Sequence, residues 1–146
     1  MAEETFLDRA AKYSYQELER LGGDPSKLEL PLQTVAVLYA VQPIIENGGF
    51  RYLFETDMPF CPPYSTFSDA YRRIGATQAA EFLDRAVAMF PFEKPHQQQQ
   101  KRLDFMDSLE EDHEMFELGD QVCVDKTVWS NLEEYARKHA ASFYFV

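Results

Sequence analysis

The sequence is short of several things. It has two cysteines in 146 residues, Cys61 and Cys123. That is no disulfide framework, and at most one Cys61–Cys123 bridge is open to it. It has no run near the roughly 20 apolar residues that a membrane-spanning helix needs. Its opening residues, Met1-Ala2-Glu3-Glu4-Thr5, are acidic and lack the apolar stretch of a secretory signal. These absences point to a cytoplasmic protein, where thiols stay reduced. Basic residues are scarce too: 14 Lys and Arg stand against 25 Asp and Glu, a formal net charge of −11. Such a surface repels phosphate, which disfavours direct nucleic-acid or anionic-membrane binding. It favours a basic protein surface as partner, met quickly and in a salt-sensitive way.

What is present suffices for a folded domain. Hydrophobic residues make up 45% of the chain and aromatics 14%. A chain of this length buries roughly 70% of its unfolded surface. Glycine and proline punctuate segments of helical period, so the expectation is an all-α, single-domain bundle of six or seven helices over residues 1–146. Thr5-x-x-Asp8 reads as a capping box for a first helix reaching Leu21. Pro31 opens a second, almost wholly apolar helix that belongs in the middle of a bundle. Pro43 is expected to kink it or begin a new turn. Asn47-Gly48-Gly49 ends it, and a short helix restarts at Phe50. Thr66, Thr77 and Thr127 are candidate caps for later helices. The Gln97–Gln100 run leads into a long helix expected to reach about Leu118, followed by a turn or extended link over 119–126.

Residues 104–120 hold eight acids and no Lys or Arg, leaving the rest of the chain near charge balance. On one continuous helix, Asp104, Asp107, Glu110, Glu111, Glu114 and Glu117 span an arc of about 140°. Phe105, Met106, Leu109, His113 and Phe116 take the other side. Like charges at three- and four-residue spacing weaken a helix by roughly 0.2–0.5 kcal/mol per pair. An ordinary solvated face explains many charge runs. The alternative is recognition: six phosphate-like acceptors for the Lys and Arg of a cationic partner. Those six are the candidate partner-binding residues.

Asn47-Gly48-Gly49-Phe50, at the end of the apolar helix, resembles the signature of a bacterial family of NGGF-motif domains that includes a DNA-mimic protein. The resemblance continues in order through Tyr52 and Phe54, Ile74-Gly75-Ala76, Phe105 to Phe116, and Tyr135-x-x-x-His139-x-x-x-Phe143, over about residues 30–145. It implies an all-helical domain. For the mimic member it implies binding a helix-turn-helix transcription factor in competition with DNA, and homodimerisation. The NGGF residues mark scaffold: Asn47 and the glycines give a helix end and Phe50 gives core. No Lys-Ser/Thr follows and no strand precedes them, so a phosphate cradle is disfavoured.

Chemical centres find little support. Glu110-x-x-His113 has the spacing of a di-iron ligand pair, but its only other copy, Glu93-x-x-His96, contains Pro95. Neither cysteine has a neighbouring basic residue to lower its pKa. The expectation is therefore no catalytic residue, no metal and no cofactor. The alternative to an acidic binding module is a small-molecule-binding protein or enzyme with an aromatic pocket near residues 47–71. Phe50, Tyr52, Phe54, Phe60, Tyr64, Phe67 and Tyr71 read first as core packing under a Pro-rich loop, and in the alternative they would line that pocket.

Overall fold

The computed structural model describes residues 3–58 and 61–144. Phe60, one ring of the expected aromatic pocket, lies outside them. Among the described residues there are seven α-helices and no strand: α1 (Phe6–Arg20), α2 (Leu30–Glu55), α3 (Tyr64–Arg73), α4 (Thr77–Val87), α5 (Gln99–Ser108), α6 (Glu114–Cys123) and α7 (Thr127–Lys138). None of these helices of the described residues is long and apolar enough to cross a membrane.

The capping box that opens α1 forms as its sequence requires. Asp8 N–H donates to Thr5 Oγ1 and Thr5 N–H to Asp8 Oδ2, each at 3.0 Å. The other expected caps are not used. Thr77 and Thr127 are the first residues of their helices, and α3 starts at Tyr64, upstream of Thr66. Asp125 takes the cap contact before α7, accepting from the N–H and Oγ1 of Thr127.

α2 is apolar on all sides, and the bundle is built round it. It packs against α1, α3, α5, α6 and α7. Val35, Leu38, Val41, Ile45 and Phe50 are among its fully covered side chains. Each such side chain contributes roughly 1.5–3 kcal/mol by leaving water. Pro43 sits inside this helix without breaking it. The departure comes at Gly48 (φ −158°, ψ 15°) and Gly49 (φ 66°, ψ −163°). The Gly49 conformation is essentially closed to residues with a Cβ. A Cβ on Gly48 would stand 2.5 Å from Tyr52 Cβ. The two glycines therefore let the chain kink and restart at Phe50.

The aromatic residues after the kink fill the core. Phe50, Phe54, Tyr64, Phe67 and Tyr71 are buried, and successive rings lie 5.2–5.8 Å apart from Phe50 through Phe54 and Tyr64 to Phe67. Tyr71 donates to Gln42 Oε1 at 2.6 Å, satisfying a second buried polar group. Arg102 is buried without a carboxylate. It donates to the carbonyls of Phe54 (2.8 Å), Pro95 (2.7 Å) and Thr56 (3.3 Å). This one side chain joins α5 to the end of α2 and to the Pro91–Pro95 stretch.

The long helix expected to run from the glutamine stretch to about Leu118 is two helices. α5 stops at Ser108, whose Oγ donates to Phe105 O, and Leu109 turns extended at φ −85°, ψ 144°. α6 begins at Glu114 behind an N-cap, His113, whose Nδ1 accepts from Met115 N–H at 3.1 Å. The expected link over 119–126 is also corrected: Gly119 to Cys123 are helical. Breaking at 109–113 takes Asp107, Glu110, Glu111 and Glu114 off a common helix face, which relieves the like-charge repulsion a continuous helix would carry.

Candidate functional site

All eight acids of residues 104–120 are exposed. They fall in three groups. Asp104 and Asp107 stand on α5, Glu110, Glu111 and Asp112 in the turn, and Glu114, Glu117 and Asp120 along α6. The last three recur at three-residue spacing, an axial step of about 4.5 Å.

The surroundings of the three groups differ. Glu114 and Glu117 lie in the first turn of α6, where a carboxylate is stabilised by the free N–H groups. Asp107 lies in the last turn of α5, where the helix dipole opposes it. Asp104 accepts from Gln100 Nε2 at 2.9 Å. The turn acids have no such helical explanation.

Along the chain no Lys or Arg offsets these acids, but across the fold two arginines do. Arg51 Nη2 lies 3.6 Å from Asp107 Oδ1, and Arg85 Nη2 lies 2.5 Å from Glu114 Oε1. Neither arginine was visible as part of the surface from sequence, because each arrives from another helix. Among the described residues, Asp104, Glu110, Glu111, Asp112, Glu117 and Asp120 enter no ion pair.

The glycine kink and the acidic stretch, separate in sequence, are neighbours in space. An open hollow of about 230 Å³ lies between them. Gly48, Gly49 and Arg51 line one side, and Glu111, Phe116 and Asp120 the other. Phe50 is at its floor and buried, while Asn47 is exposed beside it. Arg51 also stacks over the Phe116 ring, 5.3 Å from its centroid.

Among the described residues of 47–71, the rings of Phe50, Phe54, Tyr64, Phe67 and Tyr71 are core, as the core-packing reading expects, and Tyr52 is half exposed. A smaller apolar hollow of about 130 Å³ borders this stretch on the α1 side. Met58, Cys61, Pro62 and Phe67 meet Tyr15 and Leu18 there. Both cysteines are free thiols. Burial pushes the Cys61 thiol up from its ordinary value, against an opposing pull from Arg102.

A family model described as DMP19-like protein matches residues 26–139. The match spans the glycine kink and the whole acidic stretch and leaves α1 outside. No curated protein and no solved structure matches the chain.

Proposed function

The chain belongs to the DMP19-like family, and from that premise we propose that it is a DNA mimic whose acidic surface occupies the basic DNA-binding surface of a DNA-binding protein. The observation that carries the proposal is the pairing of this membership with eight exposed acids in 17 consecutive residues, 104–120, that contain no Lys or Arg. Asp104, Asp107, Glu110, Glu111, Glu114 and Glu117 serve as phosphate-like acceptors for Lys and Arg of the partner, and Asp112 and Asp120 extend the set. The partner class is a transcription regulator of the helix-turn-helix type. The role needs no cofactor and no covalent step.

The kink supports this arrangement. Gly48 and Gly49 let the start of the second half of α2 sit against α6, the helix that carries Glu114, Glu117 and Asp120. NGGF is then scaffold, and the acids are the working surface.

The test is a competition. Immobilised protein is exposed to the DNA-binding proteins of its host at low salt, and bound protein is challenged with duplex DNA. The expected result is release by duplex DNA and by raised salt, with no capture by the E110K/E111K/E114K variant. Undiminished capture by that triple variant would remove the acidic surface from the account.

A further inference from the structure

We infer that Arg51 and Arg85 are built-in counter-ions that hold down the charge of the acidic surface, and so set how strongly it grips a cationic partner. The inference rests on the reading of that surface as the binding face.

Among the described residues seven ion pairs form, and four lie within one helix. Three cross between helices, and two of those three end on acids of residues 104–120. They bracket the turn at 109–113: Arg51 meets the last acid of α5, and Arg85 meets the first residue of α6.

Both arginines are partly exposed, at 41% and 56%, and their carboxylates at 79% and 54%. Ion pairs this open contribute little to folding. Their effect on the local potential is not small by comparison. A unit charge about 4 Å away in water is worth roughly a fivefold change in affinity. Neutralising Asp107 and Glu114 from within therefore removes attraction on both sides of the turn and leaves Asp104, Glu110, Glu111, Asp112, Glu117 and Asp120 uncompensated.

The two arginines are held differently. Arg51 is fixed by several contacts: Nε to Glu55 Oε1 at 2.8 Å, NH2 toward Met106 O at 3.5 Å, and the Phe116 ring beneath it. It is a standing charge beside Glu111 and Asp120 across the hollow. Arg85 reaches from α4 to Glu114 at 2.5 Å. A guanidinium from a partner can exchange with it at Glu114. Arg51 sets a constant attenuation, and Arg85 competes directly.

The experiment measures binding of an octa-arginine peptide by fluorescence anisotropy at low and raised salt. R51Q and R85Q are compared with R20Q and R72Q. The two controls remove the same charge from pairs elsewhere, Arg20 with Glu17 and Arg72 with Asp69 and Asp84. Thermal melts verify that each variant folds. The expected result is about fivefold tighter binding for R51Q and R85Q, well above the controls, fading as salt rises. R85K should restore the wild-type affinity, and R85Q should add nothing in an E114Q background. Equal gains in all four variants, or weaker binding by R51Q and R85Q, would overturn the inference alone. Peptide binding indifferent to E110K/E111K/E114K would take the proposed function down with it.

Discussion

Gly119 of α6 lies directly on the backbone of Phe50: a Cβ built on Gly119 would stand 2.7 Å from the Phe50 nitrogen and 3.1 Å from its Cγ. The closeness follows from two features of sequence acting together. The Gly48-Gly49 kink brings the Phe50 backbone outward, and the missing side chain at 119 admits it. The acids Glu117 and Asp120 flank that contact, so the packing of α6 and the placing of its carboxylates are one problem. Gly119→Ala is expected to lower stability by about 1–3 kcal/mol, the cost of overpacking a tight contact. Urea unfolding of the variant would show it as a lower midpoint at unchanged slope. A midpoint equal to wild type would mean the contact has slack.

Stability and recognition separate within the acidic surface. Glu114 and Glu117 interact favourably with the start of α6, so E114Q and E117Q should each cost about 0.3–1 kcal/mol. The turn acids have no helix end to stabilise. E110Q/E111Q/D112N should leave the unfolding midpoint unchanged or raise it, while weakening salt-dependent binding to a cationic peptide. A triple turn variant that lost stability and kept its binding would reverse these assignments.

Much of this molecule was legible in sequence. The capping box at Thr5, the apolar central helix and the helix end at Asn47-Gly48-Gly49 are local signals, and local hydrogen bonding decides them. The break at 109–113 was not, because no Gly or Pro marks it and the apolar residues keep helical spacing through it. His113 and Phe116 were placed on the inner side and do sit partly covered. Periodicity survived where continuity did not. Arg51 and Arg85 lay beyond reach for a different reason: an ion pair across helices depends on docking, which spacing along one segment cannot encode. The rings of 50–71 looked the same in sequence whether they lined a pocket or filled a core.

Ser68 Oγ is buried and has no hydrogen-bond partner among the described residues. A hydroxyl removed from water with nothing to replace its hydrogen bonds is a net cost. Ser68→Ala keeps the shape and removes that cost, so a gain of about 1 kcal/mol is expected. Differential scanning calorimetry would read it as a higher melting temperature. A lower one would mean that the hydroxyl makes a contact in solution, such as to a buried water.

Arg102 offers the opposite case. Its removal in Arg102→Ala strands the carbonyls of Phe54, Thr56 and Pro95 and leaves a void at a fully enclosed site. The expected loss is about 3 kcal/mol or more. Arg102→Lys keeps the charge but cannot span three carbonyls with one ammonium, so it should recover only part of the loss. Full recovery by lysine would show that charge, rather than the forked geometry, is what the site requires.

Alkaline pH should unfold the protein through its buried phenols. Burial pushes Tyr15, Tyr64 and Tyr71 well above the ordinary phenol value, and nearby Glu46 and Asp125 add to the shift at Tyr71. The unfolded chain releases these protons near pH 10, as free tyrosine does, and the folded chain does not. The stability tied to these groups is therefore complete below about pH 10 and is lost as pH climbs toward the folded values. Unfolding free energy measured from about pH 8 to 11 should hold level and then fall steeply, with the share of phenolate absorbance that belongs to these three buried rings appearing only together with loss of helix. Tyr71→Phe should reduce the steepness by removing one phenol of the three. At neutral pH it should cost about 1–3 kcal/mol, because Gln42 Oε1 loses its donor. Phenolate absorbance reaching the full value for all eight tyrosines while the helix content stays intact would mean that these rings meet solvent in the folded chain.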